Sequence, residues 1–259
     1  MSLDTQWFWA FVVAFVRASG LVLVAPVFGS RLVPVPVRVG LSAMLALGLA
    51  PLITPYVGAP PTGWVPLITR LVGEAVVGLM MGYGVSLIVG AAVMAGEVLD
   101  AMMGFNLMQV LNPLSAFPTT LLAQFHYTLA MTLFALVNGH HVLLMALARS
   151  FETSAGLGRL SAWSDASLAL AAQLGSEVML LCVQIAAPAG GVLLVVDAAM
   201  AAVSRAVPQV PIWLIGMPAK IAVGLVALGA SLPFLVSLGV QTTALSTRYL
   251  EHILRLLGL

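Results

Sequence analysis

Long apolar runs follow one another from Trp7 to Gly239, and the polar positions fall in short clusters between them. Each run is near the ~20 residues that cross the hydrocarbon core of a bilayer as a helix. The pattern predicts about six helical segments, over residues 7–28, 39–56, 67–103, 119–149, 166–206 and 212–239. The third is longer than a bilayer requires and carries Gly78 and Gly82, a small-xxx-small spacing that lets helix backbones approach closely. The fifth contains Pro188 and the Gly190-Gly191 pair, which predicts a bent helix or two helical pieces. The sixth has further breaks at Pro218 and Pro233. Between the third and fourth lies GFNLMQVLNPLSAFP (104–118), apolar, aromatic and interrupted by two prolines. Backbone broken at membrane depth must be buried in protein or line an aqueous path. Residues 150–165 are more polar and read as a water-exposed loop, with Ser164 or Asp165 capping the next helix. The tail, 241–259, is amphipathic: Leu245, Tyr249, Ile253 and Leu256 alternate with Arg248, Glu251, His252 and Arg255.

Composition turns this pattern into a class. Charged residues make up 7% of the chain and hydrophobic ones 61%, against roughly 25% charged in a soluble domain. The fold class is therefore an all-α integral membrane protein, a single membrane domain over residues 1–259 with several long helices broken by proline and glycine. A net charge of +1 with no basic cluster argues against nucleic-acid binding. Asp4 precedes the first apolar run and no Lys or Arg does, so a cleaved signal is not expected. With six spans, Arg70, Arg149, Arg159, Arg248 and Arg255 fall on one side and Arg31, Arg38 and Arg205 on the other. The excess, five against three, favours both termini in the cytoplasm. The single cysteine, Cys182, reads as a small buried hydrophobe.

A charge inside such a chain is costly unless paired, hydrated or buried in protein, so the few charges are the first candidates for function. Arg17 stands near the middle of the first span and is expected to face a protein interior. Glu97 and Asp100, three apart, share a helix face and suit either an end-of-helix pair or a proton relay. Glu177 and Asp197 are isolated acids, with Arg17, Arg205 and Lys220 as candidate partners in buried charge pairs. His126 and His140 stand 14 positions apart in the sequence, about 21 Å along one helix, so no metal site and no cofactor are expected. No nucleophile motif, phosphate-cradling loop or dinucleotide fingerprint is present, and no enzymatic activity is expected. Methionines cluster towards the break. Met80, Met81 and Met94 read as apolar filler. Met102, Met103 and Met108, beside Phe105 and Phe117, suit a deformable seal.

Four segments, in order, carry a resemblance: RASGLVLVAPVFGSRLVPVPVR (17–38), AGEVLDAMMGFNLMQVLNP (95–113), NGHHVLLMALARSF (138–151) and RAVPQVPIWLIGMPAK (205–220). Together they resemble the flagellar type III export-gate family FliR, called SctT in the injectisome branch. The resemblance implies a channel-forming subunit that joins FliP-like and FliQ-like subunits in a hetero-oligomeric helical pore, at the flagellar basal body in the bacterial inner membrane. It implies work with FlhA-like and FlhB-like components and the passage of unfolded export substrates. Residues 1–118 would be a FliP-like and plug part, and 119–259 the remaining helical hairpins. The loop after the third segment would plug the lumen, with Gly104, Phe105, Met108, Asn112, Pro113 and Phe117 in or near it. Asn112-Pro113 stands where the family commonly has Asp-Pro, and Val210-Pro211 adds an unusual second proline. Two other readings remain: an injectisome subunit of a virulence secretion system, and an ion-coupled transporter built on Glu97 and Asp100.

Overall fold

The computed structural model describes residues 5–30, 33–105, 120–153, 165–209 and 212–256. The described residues form seven helices: α1 (Thr5–Val24), α2 (Val35–Val57), α3 (Trp64–Met103), α4 (Leu121–Leu136), α5 (Gly139–Thr153), α6 (Asp165–Ala206) and α7 (Ile212–Leu256). Five helices are long and apolar enough to cross a membrane, and six spans result if α4 and α5 count as one broken crossing. The protein is an all-α, multi-pass membrane protein.

The fourth expected segment is two helices. Asn138 adopts φ +55° and Gly139 follows it, against the Phe134 ring. The left-handed residue ends α4, and the Asn138 carbonyl accepts the His141 and Val142 amides as α5 starts. The fifth segment is one uninterrupted helix, not two pieces, running through Pro188 and both glycines. The sixth continues through Pro218 and Pro233 and takes in the amphipathic tail as far as Leu256. Proline inside a membrane helix removes one backbone bond, which neighbouring groups and local adjustment make up.

The chain divides into two compact units. Unit one comprises residues 1–88, 134–175 and 243–259; unit two comprises 89–133 and 176–242. In unit one, α1 packs on α2 and α2 on α5. The first half of α3 lies so close to α1 that side chains are excluded at the crossing. A β-carbon on Gly20 would stand 2.7 Å from the Ala75 carbonyl oxygen, one on Gly82 2.7 Å from that of Leu21, and one on Gly78 would overlap the Arg17 carbonyl. Gly78 and Gly82 thus form one side of a helix–helix seam, and Gly20 the other. Around it, Val13, Ala14, Leu21, Met81, Leu143, Leu147 and Phe151 make the core. Between α1 and α2, Arg38 reaches back to the carbonyls of Ser30 (2.6 Å) and Val33 (3.1 Å), closing the turn. In unit two, Ala95, Leu99 and Met103 of α3 pack with Leu122 of α4, Leu193 of α6 and Leu228 of α7.

Candidate functional site

The break between the third and fourth segments is bounded by a clasp within unit two. The helix α3 stops because Gly104 takes φ +87°, a conformation open to glycine at little cost. The Phe105 amide then donates to the Asp100 carbonyl (3.0 Å) and the Gly104 amide to that of Ala101 (3.3 Å). This is the Schellman pattern that satisfies the last carbonyls of a helix. The Asp100 side chain holds the other edge of the break. Its Oδ2 accepts the amides of Leu122 and Ala123, each at 3.0 Å, and its Oδ1 that of Leu122 at 3.2 Å. These are the second and third residues of α4, the amides that a capping side chain normally satisfies. Thr120 occupies the capping position, but its buried hydroxyl has no hydrogen-bond partner. A carboxylate from α3 does the capping instead, placed where the helix dipole favours an anion.

Glycine makes this approach possible. A β-carbon on Gly96 would stand 2.5 Å from the Ala123 α-carbon and 2.6 Å from the Leu122 oxygen. Gly96 and Asp100 are four apart and share a face, so one offers space and the other a charge to the same helix start. The two ends of the break, residues 104 and 120, are thereby fixed through one aspartate. Asp100 is fully buried, whereas Glu97 is exposed. The two acids do not act together: the roughly 60° between positions three apart falls across the edge of the packed face of α3, with Asp100 inside it and Glu97 outside. One turn into α4, His126 is buried and its Nδ1 lies 2.8 Å from the Leu122 carbonyl.

The second polar centre lies in unit one. Arg17 is fully buried, as its mid-span position requires, and its acid is Glu74 rather than Glu177 or Asp197. Its Nε donates to Glu74 Oε2 at 2.7 Å, and its Nη2 lies 2.5 Å from the same oxygen. Arg17 Nη1 donates to Ser150 Oγ (2.7 Å), and Ser150 Oγ donates to the Leu147 carbonyl (2.6 Å). The guanidinium carbon sits 3.8 Å from the centre of the Phe151 ring, a cation–π distance. Arg70 Nε approaches Glu74 Oε1 at 2.9 Å from one turn earlier on α3. Three helices, α1, α3 and α5, are tied at this point by one guanidinium.

The other candidates are dispersed. Asp197 of α6 and Lys220 of α7 form an ion pair within unit two, both part-exposed. Glu177 is half-buried on α6, and Arg205 is exposed in the last turn of that helix. Met103 is fully buried against Gly224, and Met102 packs with its sulfur facing Gly190. Both methionines fill the seams that α3 makes within unit two. Phe105 packs against the same core. Met108, Asn112, Pro113 and Phe117 lie outside the described residues. Sequence reasoning missed Glu74, Arg70, Ser150 and Phe151. The Arg70–Glu74 spacing of four was a visible signal, since it makes an ion pair on one helix face.

The family model described as bacterial export proteins, family 1, matches residues 8–245. The flagellar biosynthetic protein FliR of Bacillus subtilis (strain 168) is 29% identical, over 96% of each chain. That of Caulobacter vibrioides is 30% identical, over 84% of this chain and 86% of its own. The secretion system apparatus protein SsaT of Salmonella typhimurium is 24% identical, over 88% of this chain and 89% of its own. With the match running from the first span to the last, the chain belongs to bacterial export protein family 1.

Proposed function

We propose that this chain is the FliR-type subunit of a flagellar type III export gate, a structural and channel-forming part needed to pass unfolded flagellar proteins across the inner membrane. The family match over residues 8–245 carries this reading. The clasped break supports it: a channel that must stay closed between substrates needs a segment tethered at both ends to rigid helices. Asp100 and Gly104 supply the tethers, and 104–118 is the plug. Gly104 and Phe105 act at its root, with Met108, Asn112, Pro113 and Phe117 further along it. The partners are FliP-like and FliQ-like subunits in one complex, with FlhA-like and FlhB-like components beside it at the basal body. The part to residue 118 corresponds to a FliP-like unit and the remainder to further hairpins. The chain works as a scaffold and barrier rather than as a catalyst.

The test is a strain lacking this chain. Motility and secretion of filament protein are expected to stop and to return with the intact gene. A variant shortened within 105–117 is expected to assemble and leak small solutes. Unchanged motility in the deletion strain, with loss of another secreted protein class, would move the chain to the injectisome branch. A shortened variant that assembles and stays tight would remove the plug assignment.

A further inference from the structure

A cavity of about 470 Å³ opens in unit one where α1 and α3 begin and α2 ends. Trp9, Val57, Pro61, Val65, Thr69 and Arg70 line it, and Arg70 is their one charged side chain. Nothing in the clasp or the buried Arg17 contact calls for a cavity here. Its charge follows from the cluster behind it. Arg17 and Arg70 both pair with Glu74, so two guanidiniums meet one carboxylate and the sum is +1. Arg17 has no exposure, whereas the Arg70 side chain is 20% exposed and borders the cavity. The unbalanced charge is therefore presented at the cavity wall.

Depth and surroundings narrow the ligand. Arg70 lies six residues past Trp64, the first residue of α3, or about 9 Å along the axis. An arginine at that depth reaches the headgroup layer by its flexible stem. Trp64, at the helix start, is 79% exposed, as suits the membrane–water boundary. Val65, Ile68 and Val72 form an exposed apolar stripe on the same helix with spacings of three and four. The positive-residue count, five against three, favours the cytoplasmic side for this end, where the leaflet carries anionic lipid. We propose that the cavity binds the phosphodiester headgroup of an anionic phospholipid through Arg70, with the acyl chains lying on the Val65–Val72 stripe of α3.

The test uses the full chain purified in its complex and exchanged into mixtures of phosphatidylglycerol and phosphatidylcholine, with bound lipid read by native mass spectrometry. The wild type is expected to retain phosphatidylglycerol about tenfold over phosphatidylcholine, the scale of one charge-assisted contact. Arg70→Gln is expected to abolish that preference. Thr69→Phe, which fills the cavity while leaving the Arg70–Glu74 pair, is expected to do the same and decides the matter if Arg70→Gln does not assemble. Arg205→Gln, which removes an exposed charge elsewhere, is expected to change nothing. The proposal fails if the preference survives in an assembled Arg70→Gln or in Thr69→Phe, or falls equally in Arg205→Gln. Displacement of the lipid by millimolar inorganic phosphate overturns it in favour of a soluble anion. A photo-crosslinker at position 65 that captures a protein subunit and no lipid overturns it in favour of a protein carboxylate.

Discussion

Arg17 is surrounded on every side by groups that answer its charge or its flat face. Glu74 takes two of its nitrogens, Ser150 the third, and Phe151 covers the plane. Removing one member of such a buried pair typically costs about 3–5 kcal/mol, because the survivor is left charged and dry. Arg17→Leu and Glu74→Leu are each expected to lower the melting temperature of the purified complex sharply. The double variant is expected to recover most of the loss, since apolar residues of similar volume often replace a buried pair at no cost. A double variant as unstable as the sum of the singles would show that the contact does more than neutralise charge. Asp100 differs, because its partners are backbone amides. Asp100→Ala is expected to cost about 0.5–2 kcal/mol, the range for a lost helix cap. Hydrogen exchange should accelerate at the Leu122 and Ala123 amides, and Asp100→Asn, which keeps an acceptor oxygen, should fall between. Unchanged exchange in Asp100→Ala would mean that the clasp does not hold the start of α4.

At the scale of elements, close contact is written in glycine. The α1–α3 seam needs Gly20, Gly78 and Gly82, and the α3–α4 contact needs Gly96. Gly78→Leu is expected to force the seam apart, with an overpacking cost of about 1–3 kcal/mol or more. Gly90→Leu on the same helix, where a β-carbon meets open space, is the matched control. Equal melting points for the two would contradict the seam. Much of this level was legible in the sequence. The apolar runs located both ends of α3 and α6 to within three residues and the start of α7, because only helices satisfy their own backbones in lipid. The end of α7 was missed, since the tail that carries it on to Leu256 is amphipathic and has no continuous apolar run. Gly104 was readable as an end, being glycine just past a long run. The split at Asn138 was not, since a left-handed asparagine has no periodic signature and Val137 continues the apolar run on its near side. The role of Asp100 was equally hidden, because capping amides belong to every residue and leave no mark on side-chain pattern. Arg17 announced that it needed an acid, but spacing along one helix cannot say which acid another helix brings.

At the scale of the whole molecule, helix length meets membrane thickness. The helices α3, α6 and α7 have 40, 42 and 45 residues, so each is about 60–68 Å long against a hydrocarbon core of about 30 Å. Tilts in bilayers stay within about 40°, too little to absorb the excess. The apolar parts of α3 and α6 run 40 and 35 residues, more than the bilayer can hold, so the excess of both requires a protein environment. The apolar part of α7, Gly216–Leu238, is 23 residues and fits the core. The chain expressed alone is expected to aggregate or be degraded, and co-expression with its genomic neighbours to yield a monodisperse particle by size-exclusion chromatography. Good behaviour of the isolated chain would count against assembly into a larger gate. The Arg17 contact also sets a timetable for synthesis. Glu74 follows Arg17 by 57 residues and Ser150 by 133. At about 5–20 residues per second, the arginine waits roughly 3–11 s for its acid and two to three times as long for its hydroxyl. During that interval the first span carries a bare cation, so the nascent chain must be sheltered by the insertion machinery, or held at the water boundary, until α3 emerges.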